Sequence, residues 1–181
     1  MPPTPSRKAT EIWTDRLILR PLGPGDMLAL HDLCTMPGVR RYLWDDHVLS
    51  VEEIRDLLAT NADLHAASGL GLWGARVRDD EKELAGFVGY WYFRDPPVLE
   101  LVFAVAEPRW RNGFATEMAQ GLVAYGFDAL DLEEIRASTD APNRASIRVL
   151  EKAGFRSAGP DAAGGPDTIT FTLPRPKGGK L

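Results

Sequence analysis

The chain has 181 residues, a net charge of −5 and a hydrophobic fraction of 44%, which together predict one globular domain and argue against nucleic acid as the main ligand. No apolar run approaches the ~20 residues that span a bilayer, and the N-terminus lacks the apolar core of a secretory signal, so we expect neither a membrane partner nor export. The single Cys34 excludes an internal disulfide, as is typical of a cytoplasmic protein, and one cysteine with three scattered histidines forms no metal-binding pattern.

Hydrophobic periodicity divides the chain into strands and helices between two polar ends. Residues 1–11 and 174–181 are rich in proline or glycine, which predicts disordered tails on either side of a domain spanning 12–173. In chain order the pattern predicts strand 17–22, helix 26–35, a helix beginning at 50, strands 70–78, 84–93 and 98–105, helix 112–130, strand 135–139, helix 143–153 and strand 168–173. Because short turns link the three central strands, they should form an antiparallel meander. The predicted fold is mixed α/β, with about four helices flanking a mostly antiparallel sheet of about six to seven strands.

Local signals set the ends of the predicted helices. Asp26 is the expected N-cap of the first helix, and Ser50 with Glu53 forms a capping box at the start of the second. Gly154 supplies a left-handed C-cap after the last helix. The G-x-G-x-x-G run at 69–74 follows a helix and precedes an alternating run, so it indicates a glycine-rich strand start and not a dinucleotide site.

The first of two informative motifs is Glu-Pro-Arg-Trp-Arg-Asn-Gly-Phe-Ala-Thr-Glu at 107–117, which joins an apolar strand to a helix. The first amides of a helix lack internal partners and carry the positive end of its dipole. Gly113 has no side chain that would block a phosphate, and the small side chain of Ala115 leaves the next turn uncrowded. Arg111 supplies a nearby positive charge. From these residues alone, a phosphate site and a strand-to-helix turn without a ligand remain equally open.

The second motif, Asn-x-x-Ser-x-x-Val-Leu-Glu-Lys-x-Gly-Phe at 143–155, follows the first in an order that resembles the GNAT superfamily of acyl-CoA N-acyltransferases. Residues 14–21 also resemble the opening of one branch, the ribosomal-protein N-terminal acetyltransferases of the RimJ/RimL type. The resemblance spans about residues 14–173 and implies the single-domain GNAT fold. It also implies acetyl-CoA as the co-substrate, without a metal.

The family's cofactor motif falls on residues 110–115, where Trp110 replaces the usual glutamine or arginine. The resemblance implies that backbone amides hold the pyrophosphate of acetyl-CoA. These amides belong to Arg111, Asn112, Gly113, Phe114, Ala115 and Thr116. The preceding strand would pair with the pantetheine arm near Phe103, Ala104 and Val105. By the same resemblance, Asn143 contacts this arm and Ser146 lies near the sulfur.

Acetyl transfer to an amine needs a deprotonated amine, a polarised thioester carbonyl and a proton for the leaving thiolate. Glu100 is the first candidate for the base, because alternation places it with Val102 and Ala104 on one face of an apolar strand. Burial there would raise the pKa of a carboxylate. Pairing with a basic neighbour, or orienting the substrate, is the alternative role. Ser146 or water is the candidate acid, since Leu150 stands where many members of the superfamily carry a tyrosine.

The sequence therefore predicts an acetyl-CoA-dependent N-acetyltransferase that works by direct transfer in a ternary complex, as a monomer or homodimer. The acceptor is a primary amine, on a protein or peptide N-terminus or on a small molecule. Trp44 and Trp91 are expected either to line its site or to fill the core. Cys34 falls on an apolar helix and is expected to be a buried structural residue. A non-catalytic acyl-CoA-binding or sensing module on the same fold is the alternative.

Overall fold

The computed structural model describes residues 9–161 and 163–177, and within them the chain forms eight strands and five α-helices. The strands are β1 (Ile12–Trp13), β2 (Leu17–Pro21), β3 (Gly71–Val77), β4 (Gly86–Phe93), β5 (Val98–Val105), β6 (Glu134–Asp140), β7 (Arg156–Pro160) and β8 (Thr168–Pro174). The helices are α1 (Met27–Thr35), α2 (Pro37–Leu43), α3 (Val51–Ser68), α4 (Phe114–Asp128) and α5 (Arg144–Lys152), with short 3-10 turns at Pro24–Asp26 and Glu107–Arg109. Of the predicted tails, residues 1–8 and 178–181 lie outside the described residues.

The strands form two antiparallel sheets. Strands β1 to β5 are neighbours in chain order in the first sheet, and the second sheet has the order β6–β8–β7. The predicted meander is confirmed, with Trp73 opposite Val88 and Trp91 opposite Glu100. Strands β5 and β6 lie close enough for Ser138 to bond Glu100, yet no backbone pairing joins them within the residues that the structure describes. We call this unpaired boundary between the sheets the β5–β6 gap.

The mixed α/β class with antiparallel pairing is confirmed, while the number of elements differs from the prediction. Eight strands in two sheets replace the single sheet of about six to seven, and five helices replace about four. β1 is too short to show alternation, and β7 is a largely exposed segment that contains Gly159 and Pro160. α2 begins with Pro37 and Gly38, a pair typical of turns, and so gives no helical signal.

Two apolar clusters cover opposite faces of the first sheet. Leu101 and Val105 of β5 belong to a cluster with Leu122 of α4, whereas Ala104 belongs to a cluster with residues of α1, α2 and α3. This division follows from the strand itself, because successive side chains point to opposite faces. Glu100 therefore shares the face of Ala104, which α1, α2 and α3 cover.

The predicted glycine positions and the capping box are confirmed. Ser50 and Glu53 form the box that begins α3. Gly69 ends α3 in the left-handed region with φ 78°, and Gly71 begins β3, so the glycine run is the start of a strand. Gly154 follows α5 with φ 98°, as expected for a helix C-terminus.

Asp26 occupies the predicted N-cap position of α1, but its side chain does not act as a cap. Its carboxylate instead accepts the Gly23 N–H at 2.9 Å and pairs with Arg76 of β3. Asp26 therefore closes the turn before α1 and ties it to the sheet.

No helix in the described ranges is long and apolar enough to cross a membrane. Over the same ranges, no three or more His, Cys, Asp or Glu side chains are grouped so that they could hold a metal ion.

Candidate functional site

The turn into α4, residues 111–116 (the α4 turn), has the backbone geometry of an anion site. Gly113 is the N-cap with φ 81°, and the Glu117 N–H bonds the Gly113 carbonyl at 3.1 Å. The N–H groups of residues 114–116 precede that bond, so they have no acceptor within the helix. The exposed Arg111, itself left-handed with φ 62°, adds a positive charge to the same turn. Such an arrangement suits a phosphate group.

An ion pair between Arg16, which directly precedes β2, and Glu117 of α4 stabilises this turn. Glu117 accepts from the Thr14 hydroxyl at 2.6 Å, from the Arg16 backbone N–H at 2.7 Å and from the Arg16 guanidinium at 2.6 Å. Burial alone would raise the pKa of Glu117, but these bonds lower it. Arg16 also donates to the Asn112 carbonyl at 2.9 Å and lies over the Phe114 ring. Sequence reasoning missed this contact, because its partners are 101 positions apart and carry no shared local signal.

The other residues predicted to bind the cofactor support the α4 turn in different ways. The Asn112 side chain donates to the carbonyls of Arg109 at 3.0 Å and Trp110 at 3.3 Å, so it stabilises the turn itself. Ala115 and Thr116 are half-buried on the first turn of α4. Their backbone N–H groups, more than their side chains, are therefore the groups suited to a ligand.

The end of β5 has one paired edge and one edge on the β5–β6 gap. Phe103, Ala104 and Val105 lie opposite residues 86–88 of β4. The Trp110 indole donates to the Val105 carbonyl at 2.6 Å, so this carbonyl is already bonded. The edge that faces β6 has no backbone partner in the described part of the chain. An extended ligand has the right shape to pair there like an added strand.

A cavity of about 340 Å³ lies near the starts of β5 and β6. Its lining includes Val98, Leu99, Ile135 and Arg136. None of the predicted site residues lines this cavity, although the candidate base Glu100 directly follows Leu99 in β5.

Asn143 and Ser146 lie at the start of α5, as predicted. The Asn143 Oδ1 accepts the Ser146 N–H at 3.2 Å, which is an N-cap bond. Among the residues described, the Ser146 hydroxyl has no hydrogen-bond partner, which leaves it available to a ligand. Leu150, one helical turn further on, is 1% exposed in the core and supplies no proton donor.

Glu100 belongs to a part-buried polar network that joins the two sheets. We call it the polar bridge; it consists of Arg94, Glu100, Ser138, Asp161 and Thr170. The Glu100 side chain is 6% exposed, pairs with Arg94 at 3.0 Å and accepts from the Ser138 hydroxyl at 3.1 Å. Arg94 also pairs with Asp161 at 2.5 Å, and Asp161 accepts from Thr170 at 2.8 Å. Pairing with a basic neighbour, the alternative considered for Glu100, is thus present, and the catalytic role stays a prediction.

Burial and charge act in opposite directions on the two carboxylates of the polar bridge. Burial raises the pKa of Glu100, although Arg94 and the Ser138 hydroxyl act to lower it. The bond from Arg94, followed by that from Thr170, lowers the pKa of Asp161 to about 2. Asp161 therefore stays ionised beside the arginine, while Glu100 is shifted in the direction that a general base needs.

The two tryptophans predicted for the acceptor site lie on the face covered by α1, α2 and α3. Trp91 stands directly opposite Glu100 in the β4–β5 ladder, so the two side chains share one face. Trp44 follows α2, and both tryptophans are partly buried against the cluster on this face. Cys34 is buried as predicted, and burial raises the pKa of its thiol to about 12 despite the neighbouring Trp44 indole.

Comparison of the sequence with known proteins gives a family match over most of the chain. Residues 16–156 match the family described as Acetyltransferase (GNAT) domain. The uncharacterized N-acetyltransferase YoaA of Bacillus subtilis (strain 168) is 35% identical over 147 residues, which cover 81% of this chain and 82% of the relative.

Solved structures share the fold at lower identity. An acetyltransferase from Agrobacterium tumefaciens str. C58 is 21% identical and has a TM-score of 0.80, over 93% of this chain and 96% of its own. RimL, the ribosomal L7/L12 alpha-N-protein acetyltransferase, solved with coenzyme A, is 19% identical and has a TM-score of 0.75, over 91% of this chain and 97% of its own. At such identities the likeness shows a shared fold.

Proposed function

Because the chain belongs to the GNAT acetyltransferase family, we propose that it is an acetyl-CoA-dependent N-acetyltransferase that transfers the acetyl group directly to a primary amine in a ternary complex. One observation carries this proposal: β5 holds the buried Glu100 and leads, through the 3-10 turn Glu107–Arg109, into the α4 turn. A single strand thereby connects a place for a phosphorylated cofactor with a carboxylate that can accept a proton.

The residues of the α4 turn fit the pyrophosphate of CoA. Gly113 leaves the approach open, since a Cβ there would meet only Arg16 Nη2, at 3.4 Å. The helix amides without acceptors donate hydrogen bonds, and Arg111 adds positive charge. The unpaired edge near Phe103 would hold the pantetheine arm, with Asn143 contacting the arm from the start of α5. When bound, acetyl-CoA supplies the activated acetyl group.

In the proposed reaction, the amine nitrogen attacks the thioester carbonyl carbon, the carbon–sulfur bond breaks and the acetyl group ends on nitrogen. Glu100 takes the proton that the amine loses, directly or through water. The Ser146 hydroxyl or water returns a proton to the leaving thiolate. The protein itself forms no covalent bond to the acetyl group, which is consistent with the burial and raised pKa of Cys34.

Negative charge near the end of β6 favours a cationic amine as acceptor. Burial, and then the charges of Asp45 and Asp167, raise the pKa of Asp140, so these three carboxyl groups lie near one another. Asp45 directly follows Trp44, which places this charge beside a predicted acceptor-site residue. RimL is an alpha-N-protein acetyltransferase, and a protein or peptide α-amino group is therefore our first acceptor class, with a small-molecule amine second.

A non-catalytic acyl-CoA-binding module is the second candidate function. Two observations favour it: Leu150 replaces the tyrosine acid of many superfamily members, and Glu100 is already paired with Arg94. Both features would weaken proton transfer but would leave the α4 turn able to bind a cofactor.

Release of free thiol from acetyl-CoA, measured with peptides, polyamines and aminoglycosides as acceptors, tests the proposal. Glu100→Gln should lower kcat by about 10²–10⁴-fold, because it removes the base, while the Kd for CoA stays unchanged. Glu151→Gln, at an exposed position on α5, is the matched control. CoA binding by the wild type without turnover of any amine would favour the non-catalytic module, and failure to bind CoA would refute both functions.

A further inference from the structure

Arg94 differs from an ordinary turn residue in its backbone conformation and in the two carboxylates that flank its side chain. It lies between β4 and β5 with φ 72°, in the left-handed region that side chains other than glycine rarely adopt. Its side chain is 17% exposed and lies between two carboxylates, with Glu100 at 3.0 Å and Asp161 at 2.5 Å. It also donates to the Ser138 hydroxyl at 2.9 Å. Backbone strain of this kind is retained where the surrounding structure requires it, often at functional sites.

We infer that Arg94 is a positioning residue for acetyl transfer, which holds the Glu100 carboxylate beside the β5–β6 gap and sets its protonation, and that Asp161 in turn holds Arg94. The inference rests on the proposed function, since it assigns a role to residues around the same candidate base. Arg94 acts through Glu100 and makes no contact with the substrate in this scheme.

The anchoring of Asp161 shows how the second sheet fixes Arg94. Asp161 follows β7, accepts the Thr170 hydroxyl of β8 at 2.8 Å and accepts the Ala163 N–H at 3.1 Å. These two bonds hold the Asp161 carboxylate in place independently of Arg94. Because an arginine fork binds carboxylates in a fixed plane, this anchor also fixes the direction in which the guanidinium reaches Glu100. The position of Glu100 on the first sheet then depends on residues of the second.

The charged groups that face Glu100 determine the direction in which each substitution should shift its pKa. Arg94 from the β4–β5 turn and Arg136 from β6 favour the ionised carboxylate, whereas burial and Asp161 favour the protonated form. Removing the Arg94 charge should therefore raise the pH at which Glu100 loses its proton. Removing the Asp161 charge should lower that pH. A purely structural role for these residues predicts neither shift.

The test is the pH dependence of kcat/KM for the wild type and for Arg94→Gln, Arg94→Lys and Asp161→Asn. With Glu100 as the base, activity falls as the pH falls through its pKa. Arg94→Gln should move this acid limb to higher pH, so that activity is reduced by about tenfold or more on the acid side and recovers at alkaline pH. Asp161→Asn should move the limb to lower pH. Arg94→Lys keeps the charge and should leave the limb near its wild-type position.

Control variants separate this role from folding and from the proposed function. Arg55→Gln, at an exposed position on α3, should leave the profile unchanged. An activity loss in Arg94→Gln that is equal at every pH would overturn the inference. If Arg94→Gln does not fold, Asp161→Asn decides, because asparagine keeps an oxygen acceptor for Arg94 and loses only the charge, so an acid limb that stays in place overturns the inference. A wild type that binds CoA but acetylates no amine would instead refute the catalytic function on which the inference rests.

Discussion

Replacing Gly38 tests whether α2 and the α4 turn depend on each other. The Gly38 N–H donates to Glu107 Oε1 at 2.5 Å, and the residue lies against the Trp110 indole. A Cβ added at Gly38 would overlap Trp110 Cη2, with Cζ2 at 3.1 Å and Glu107 Oε1 at 2.9 Å. The indole is held at its other end by the bond from Nε1 to the Val105 carbonyl at 2.6 Å. It therefore cannot move away from the added Cβ without losing a contact.

Two effects of opposite sign compete in Gly38→Ala. Alanine is favoured over glycine inside a helix by roughly 0.5–1 kcal/mol, which would stabilise α2. Carbon atoms pack best at about 3.5–4.0 Å, so either the indole or α2 must shift. The shift breaks the indole bond, a loss of about 0.5–1.5 kcal/mol, or the bond to the Glu107 carboxylate, a loss of about 1.5–3 kcal/mol. We expect the clash to dominate, with a net loss of about 1–2 kcal/mol and a Tm lower by roughly 2–8 °C.

Thermal unfolding measures the loss, with Gly25→Ala as the matched control. A Cβ at Gly25 meets no atom within 4 Å, so this substitution should leave the Tm unchanged or raise it. Trp110 directly precedes the α4 turn, so Gly38→Ala should also raise the KM for acetyl-CoA, by up to about tenfold, the equivalent of 1.4 kcal/mol. An unchanged or higher Tm together with an unchanged KM would refute the reasoning.

Two further variants test contacts away from the reacting groups. Glu117→Gln removes the charge that binds Arg16 and Thr14 to α4, and it should lower the free energy of unfolding by about 1–3 kcal/mol. Urea unfolding measures this change, and an unmoved midpoint would contradict the expectation. Asn61 is fully buried and makes three hydrogen bonds to backbone groups beside β2 and in β3. Asn61→Ala removes this partner from the Leu22 carbonyl and the Leu72 N–H, whereas the Leu72 carbonyl keeps its bond from the Leu22 N–H at 3.0 Å. It should reduce stability by about 2–4 kcal/mol in thermal unfolding, and a loss below about 1 kcal/mol would show that the amide is dispensable.

Much of the fold can be predicted from the sequence, because most elements carry their own local signal. Strands β3 to β5 are apolar runs bounded by turn residues, and their predicted ends differ from the observed ones by at most two residues. α2 is different, since its start is held by the bond from Gly38 to Glu107, 69 positions away. β1 exists because it pairs with β2. Elements that depend on such tertiary contacts leave no periodic pattern to find.

The candidate site likewise has one part that local sequence signals predict and one part that only the fold brings together. The α4 turn and the start of α5 are contiguous motifs, and both have the local geometry that their sequences indicate. The polar bridge is assembled by the fold, with Arg94 and Asp161 67 positions apart and Ser138 and Glu100 38 positions apart. Arginine and aspartate are common on exposed turns, so nothing local marks these as partners. The roles assigned to Glu100 and Ser146 stay predictions.

The β5–β6 gap also has a consequence for the behaviour of the protein in solution. In the described ranges β5 and β6 each have an edge without a strand partner, in addition to the outer edges at β1 and β7. Open strand edges attract strands of other chains and are a common start of aggregation. A ligand that fills the gap would cover both inner edges and, at a hundredfold excess over its Kd, would stabilise the fold by about 2.7 kcal/mol. Coenzyme A in the purification buffer should therefore raise the protein concentration at which self-association begins.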